Sequence, residues 1–437
     1  MRDLLIISIV LAGSIAALRR PWLGVLLWSW LSIMNPHRFA YGAAFDAPLA
    51  AIAAVSTLLG LLLTKDKWSP FIGSPVVWFS IFCGWVTVSW LAGLDPAGDY
   101  YQWNKVLKIN LMILVALAVI RTKTQIMALI LVVTASLALL GIKGGLFTVL
   151  NGGNYRVWGP PDSFIADNNE FALALVMTIP LLRFLQLQTA RRWFQLSLLA
   201  TMVLCAVAAL GSHSRGGLLA LTAMTVYFWW QGKNKPFRGL LLLVIGVSLV
   251  AFMPDSWSIR MDTIQNYEDD ASAMGRISAW WTAWNLAWHY PFGVGFNPAQ
   301  PEIFAMYSPY PMSVHAAHSI YFQILGNHGF IGLLLFLSIW ISTWRNAAWL
   351  LKEAPKYVQA KWCVDLANMS QVALLAYAVG GAFLSLAYFD LPYNIMVIIL
   401  CTRLWVQQQA WLLEPAAANK WFARVGRIDP MSKATSC

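Results

Sequence analysis

HAAHSIYFQILGNHGFIGLLLFLSIWISTW, residues 315–344, is the stretch on which the fold turns. From His318 to Trp344 it carries no Asp, Glu, Lys or Arg. It is long enough to cross a hydrocarbon core of about 30 Å, for which roughly 20 helical residues suffice. Directly ahead of it lies the one long polar segment, 254–317. A spanning helix that opens on His315 and His318, with Tyr321 and Gln323 close behind, sets polar chemistry at a membrane surface.

Working outward, the rest of the chain obeys the same reading. It has 437 residues, 59% of them hydrophobic and 11% charged, with mean hydropathy +0.61 and 24 Trp. Soluble chains carry about 25% charged residues, so this is an all-α polytopic integral membrane protein. The net charge of +11 does not point to nucleic acid, because the cations sit in short clusters between apolar runs, as topology determinants do. Cys83, Cys205, Cys363, Cys401 and Cys437 lie mostly in or beside apolar spans without paired spacing, so neither a disulfide framework nor a zinc knuckle is indicated and they read as buried small hydrophobes. The N-terminal apolar run lacks a small-residue cleavage site before Arg19-Arg20-Pro21 and reads as a retained membrane element.

Apolar runs fall at 4–18, 22–34, 46–64, 74–93, 105–120, 124–143, 168–187, 195–212, 215–231, 238–253, 318–344, 367–388 and 391–408. They predict about 12 transmembrane helices, with the short first pair either crossing or forming a broken element. The expected organisation is an N-terminal bundle at 1–253, a loop with interfacial helices at 254–317, C-terminal helices at 318–408 and a tail at 409–437. Loops holding Lys65/Lys67, Arg121/Lys123, Arg183/Arg191/Arg192, Lys233/Lys235/Arg238, Arg345/Lys352/Lys356/Lys361 and the tail cations Arg403, Lys420, Arg424 and Arg427 belong inside by the positive-inside rule. The cation-poor loops at 95–99, 152–169, 212–215, 254–317 and 389–392 then face outward.

Polar groups gather in those outward loops. Arg215, beside Ser214 and followed by Gly216-Gly217, sits in a turn too short for a cation that obeys the rule; it reads as an anion-binding arginine or an interfacial one. Arg276 opens a helix whose Trp280, Trp284 and Trp288 form a stripe at i, i+4, i+8, suited to lying at the interface. It reads either as an anchor or as a cation presented to a membrane-embedded anion. His318 reads as a general base or a structural histidine, since imidazole accepts a proton near neutral pH. Its spacing from His315 invites a metal, but no carboxylate or Cys nearby completes a ligand set, so no metal or cofactor is expected. In the loop at 152–169, Arg156 is a weaker anion-binding candidate, while Asp167 or Asn168 reads as the N-cap of the following helix. Asp390, in the turn at 389–392, is the expected partner of His318 or of an acceptor.

Taken together, Gly159-Pro160 with Asn169-Glu170-Phe171-Ala172, Ser214-Arg215-Gly216, Gly275-Arg276 with Trp280 and Pro291-Phe-Gly293-Val-Gly295, and His318 with Tyr321, Gln323 and Gly329 resemble the O-antigen ligase and polymerase superfamily. The N-terminal run with Asn35-Pro-His-Arg-Phe also resembles O-glycosylation ligases associated with exosortase systems. The resemblance implies a GT-C-like glycosyltransferase of the bacterial inner membrane, multi-pass, with its active site facing the periplasm. Its donor would be an undecaprenyl-diphosphate-linked glycan, its acceptor a lipid A–core sugar, and its surroundings membrane lipids. Arg215 and Arg276 match the family's diphosphate-holding arginines and His318 its base; Arg156 is a third diphosphate-binding candidate, and Ser214, Tyr321, Gln323 and Asp390 are the candidate supports. Asn327 stands where the family often has Glu. Glycan polymerases and protein O-glycan ligases need the same clamp and base. A transporter of lipid-linked glycans would instead place charges at mid-membrane and show internal repeats, which this chain lacks.

Overall fold

Where lipid offers no hydrogen bonds, each apolar run has to satisfy its own backbone, and helix is the solution available to a single segment. The structure, a computed structural model, describes residues 1–64, 73–231, 235–262, 271–311 and 314–414, all helix and connecting turns among the described residues. In order the α-helices are α1 Arg2–Arg19, α2 Pro21–Met34, α3 Ala43–Asp46, α4 Leu49–Leu63, α5 Ser74–Leu91 and α6 Pro96–Val119. Then come α7 Lys123–Leu150, α8 Asn168–Leu187, α9 Arg192–Gly211, α10 Arg215–Gln231 and α11 Lys235–Ala251. The segment expected as the long loop contains α12 Asp255–Asp262, α13 Ala271–His289 and α14 Pro301–Tyr307. The chain ends with α15 Ile320–Glu353, α16 Lys361–Gly381 and α17 Asp390–Gln407. Lys65, Lys67, Lys233, Lys420, Arg424, Arg427 and Cys437, with residues 415–437 of the expected tail, lie outside the described residues.

Among the described residues seven helices are long and apolar enough to cross a membrane. They are α5, α6, α7, α8, α9, α15 with its short extension, and α16. The first pair of runs is a hairpin of two packed helices, α1 and α2, with only Arg20 between them. α8 lies at the centre, enclosed by α7, α9, α10 and α16.

Two irregular places shape the site. α15 breaks at Gly329, whose φ of +68° and ψ of −172° are not helical. The carbonyl groups released there are covered by protein, as the bilayer interior demands. Asn327 O accepts from Val294 N (3.0 Å), Gly295 N (3.2 Å) and Ser89 Oγ (2.9 Å), and His328 O from Trp85 Nε1 (2.8 Å). The Pro291-Phe-Gly293-Val-Gly295 motif is therefore a brace for a broken helix. A Cβ at Gly293, where φ is +86°, would meet Ser89 Oγ at 2.3 Å and Asn327 O at 2.4 Å. Gly293→Ala should cost about 1–3 kcal/mol or more, read as a lowered thermal midpoint in detergent. An unchanged midpoint would show that the loop braces nothing.

The second irregular place corrects the run at 367–388: α16 stops at Gly381, and 382–389 is a buried turn although its residues are apolar. Hydropathy counts these residues as membrane span, but side chains hold their backbone. Glu170 Oε1 accepts from Ser385 N (3.2 Å) and Gln323 Oε1 from Ala387 N (3.2 Å). The hydroxyls of Tyr377 and Tyr393 donate to Leu386 O (3.1 Å) and Ala387 O (2.8 Å).

Candidate active site

The turn at 382–389 is where the sequence-distant segments meet. Asp167 caps α8, its carboxylate accepting from Asn169 N at 2.8 Å, so the first turn of α8 holds Glu170 buried against Ser385. Ser214 Oγ accepts from Gly217 N (3.0 Å) and caps α10, which starts at Arg215. Gly216 then lies against Leu384, and Gly217 against Ala172 one turn below the α8 cap. Arg215 is thus set, half-buried, beside the same turn that Glu170 holds.

His318 sits two residues ahead of α15 with φ +42°, a left-handed conformation that costs a residue bearing a Cβ about 1–2 kcal/mol. Its Nδ1 is 3.8 Å from Glu170 Oε1, within ion-pair range, and its side chain keeps 35% exposure. Nδ1 thus faces a buried carboxylate, at a distance too long for a hydrogen bond. Asp167 stands behind this pair. Its carboxylate also accepts from the Asn169 side-chain amide at 2.8 Å.

The other wall comes from α13. His315 lies with its ring against Gly275, where an added Cβ would be 1.8 Å from Cδ2. Burial, then the charges of His318 and of Arg276, lower its pKa, so His315 stays neutral at neutral pH. The coupling to Arg276 puts that half-buried residue in the electrostatic neighbourhood of His315. Trp280 of the expected interfacial stripe turns inward instead, donating to Ala317 O (2.7 Å) and stacking on Phe322 at 4.9 Å, whereas Trp284 and Trp288 remain exposed. Beneath 315–317 lies a cavity of about 120 Å³ whose polar walls are Thr282, Asn297, His315, Gln323, Asn327 and Ser385. Asn327 Nδ2 donates to Tyr388 OH (2.9 Å) and Phe296 O (3.4 Å), a task that the family's Glu could not perform when ionised.

Several expected supports have other work. Asp390 does not orient His318: it is buried, hydrogen-bonded to Ser32 and near Lys105, while the carboxylate facing His318 is Glu170. Tyr321 donates to Ala378 O at 2.9 Å and lines an apolar groove between α15 and α16. Ser214 is occupied as a helix cap. Arg156 lines a different groove, with Lys143, that shares no residue with the cavity under His315. His213, buried with φ +58°, is tied through Nε2 to Gly153 O (2.8 Å). Gln323 alone among the supports combines a hold on the turn with a place on the cavity wall. The missed residue is Glu170, whose signal was an ionisable side chain in the first turn of an apolar span. Among the described residues no three His, Cys, Asp or Glu side chains gather as a metal site would require.

Residues 1–190 match a family of unknown function. No curated protein matches the chain. Residues 200–337 match the family described as O-Antigen ligase, a span that includes Arg215, Arg276, the brace at 291–295, His318 and the break at Gly329. That segment supports a place in the O-antigen ligase superfamily, the family to which this part of the chain is similar.

Proposed function

We propose that the protein is an O-antigen ligase that moves a preassembled glycan from undecaprenyl diphosphate to a lipid A–core sugar at the periplasmic face of the inner membrane. The observation that carries this reading is the approach of His318 to buried Glu170, 3.8 Å apart, with Glu170 also holding the turn on which Gly216, next to Arg215, packs. In the reaction the bond between the glycan's anomeric carbon and the diphosphate oxygen breaks, and a bond to the acceptor oxygen forms. The acceptor proton passes to His318 Nε2, and the lipid diphosphate leaves with the electron pair. Glu170 steadies the imidazolium that results, as a carboxylate does for a histidine base. Arg215 and Arg276 meet the charge that grows on the leaving diphosphate, for which paired guanidinium hydrogen bonds are well suited. The amide-lined cavity under 315–317 offers donors and acceptors for sugar hydroxyls.

Glycan polymerases and protein O-glycan ligases present another hydroxyl to the same base, so the acceptor decides among them. Purified protein incubated with lipid-linked glycan should glycosylate core lipid in preference to free glycan or protein acceptors. Preference for a growing glycan chain would make it a polymerase. The roles assigned here use only side chains, so transfer should be unchanged by EDTA. Activity lost to EDTA and restored by one divalent ion would contradict these assignments.

A further inference from the structure

Next to Glu170 in the first turn of α8, Phe171 lines a groove of about 240 Å³ that the transfer reaction does not use. Its walls include Phe39, Leu140, Phe147 and Trp158, and its two charges are Lys143 and Arg156. No carboxylate lines it. The nearest acidic side chain in the loop, Asp162, is engaged by Arg38 at 3.4 Å. Lys143 and Arg156 are both exposed, and the Lys143 ammonium lies 4.7 Å over the Phe39 ring.

The position of Lys143 along α7 says what kind of anion this is. It lies 20 residues beyond Lys123, the first residue of α7, as the numbering gives directly (143 − 123). At 1.5 Å per residue that is about 30 Å, one hydrocarbon thickness. A lysine at that depth stands at headgroup level of the far leaflet, with apolar Leu140 one turn below it. A free anion would have no use for the aromatic and aliphatic walls, whereas a lipid's chains would.

We propose that this groove is a second anion site, which holds the phosphate of a membrane lipid between Lys143 and Arg156 while the lipid's chains lie along the apolar walls. The site is separate from the Arg215, Arg276 and His318 cluster, and its occupancy does not depend on the transfer reading.

The test is native mass spectrometry of the full chain in detergent, titrated with phosphatidic acid. Wild type should retain one phosphatidic acid, and the Lys143→Gln/Arg156→Gln double variant should weaken retention at least about tenfold, two charge-assisted contacts being removed. Lys143→Arg, Arg215→Gln/Arg276→Gln and His318→Ala should each retain it as wild type does. Phosphatidylcholine should not be retained, and inorganic phosphate at the same concentration should not displace the lipid. Unaltered retention by the Lys143→Gln/Arg156→Gln variant would overturn the site, as would its loss in the Arg215→Gln/Arg276→Gln variant. Equal retention of phosphatidylcholine would overturn phosphate recognition, and displacement by inorganic phosphate would overturn the lipid. Because both changed side chains are exposed, misfolding is not expected, and the thermal midpoint of each variant checks this.

Discussion

His318→Ala should lower glycan transfer by a factor on the order of 10²–10⁴ while leaving retention of the lipid diphosphate close to wild type. A base that removes the acceptor proton acts in the transition state, so its loss appears in kcat more than in donor binding. His315→Ala and His213→Ala are the controls. His315 rests against Gly275, and His213 is fixed on the Gly153 carbonyl, so neither is expected to lose turnover on that scale. Glu170→Gln removes the charge behind Nδ1 without changing shape. It should lower turnover less than His318→Ala does and shift the pH–rate profile, a readout that mere loss of packing would leave in place. A fully active His318→Ala protein would remove the base from the mechanism.

The second large effect is expected at the arginines. Changing both Arg215 and Arg276 to alanine should abolish measurable transfer and also weaken donor retention, because the charge of the diphosphate is present in the bound donor as well as in the transition state. Each guanidinium should be worth a factor on the order of 10²–10³ in rate, the range found when one preorganised donor is removed from an anionic transition state. Arg215→Lys should already impair transfer, since an ammonium cannot reproduce the planar two-donor fork. The measurements are transfer rate and lipid-diphosphate retention on the same preparations. Full activity in the double alanine variant would show that neither residue holds the donor.

Much of this architecture was legible because hydropathy reports burial in lipid directly: each of the thirteen apolar runs contains helix in the structure. Arg215 and His318 stood out for a related reason, being costly residues at the ends of apolar runs, and Arg276 as the cation opening a Trp-striped helix in the polar segment. What hydropathy misreads is an apolar segment whose backbone is satisfied by something other than helix. The turn at 382–389 is one, held by Glu170, Gln323, Tyr377 and Tyr393, and α15 at Gly329 is another, held by Ser89, Trp85 and the loop at 291–295. These partners are remote in sequence, so no local pattern announces them. Glu170 went unrecognised as the partner of His318 because 148 residues separate them (318 − 170), and Asp390 was favoured for lying in an outward turn. Asp390 lies instead at the start of α17, buried against Ser32, which no spacing along the chain foretells. Lys143 was passed over as the last residue of an apolar run, and only the wall that Arg156 and Phe39 make with it gives it a role.

The most direct test of glycan transfer is to reconstitute the purified protein with a lipid-linked glycan and a core-lipid acceptor, and to follow donor, glycosylated acceptor and undecaprenyl diphosphate together. The mechanism predicts one undecaprenyl diphosphate released for each acceptor glycosylated, with both products lost in His318→Ala. Intact lipid-linked glycan appearing on the opposite side of the proteoliposome membrane, with no undecaprenyl diphosphate formed, would contradict it and make the protein a transporter.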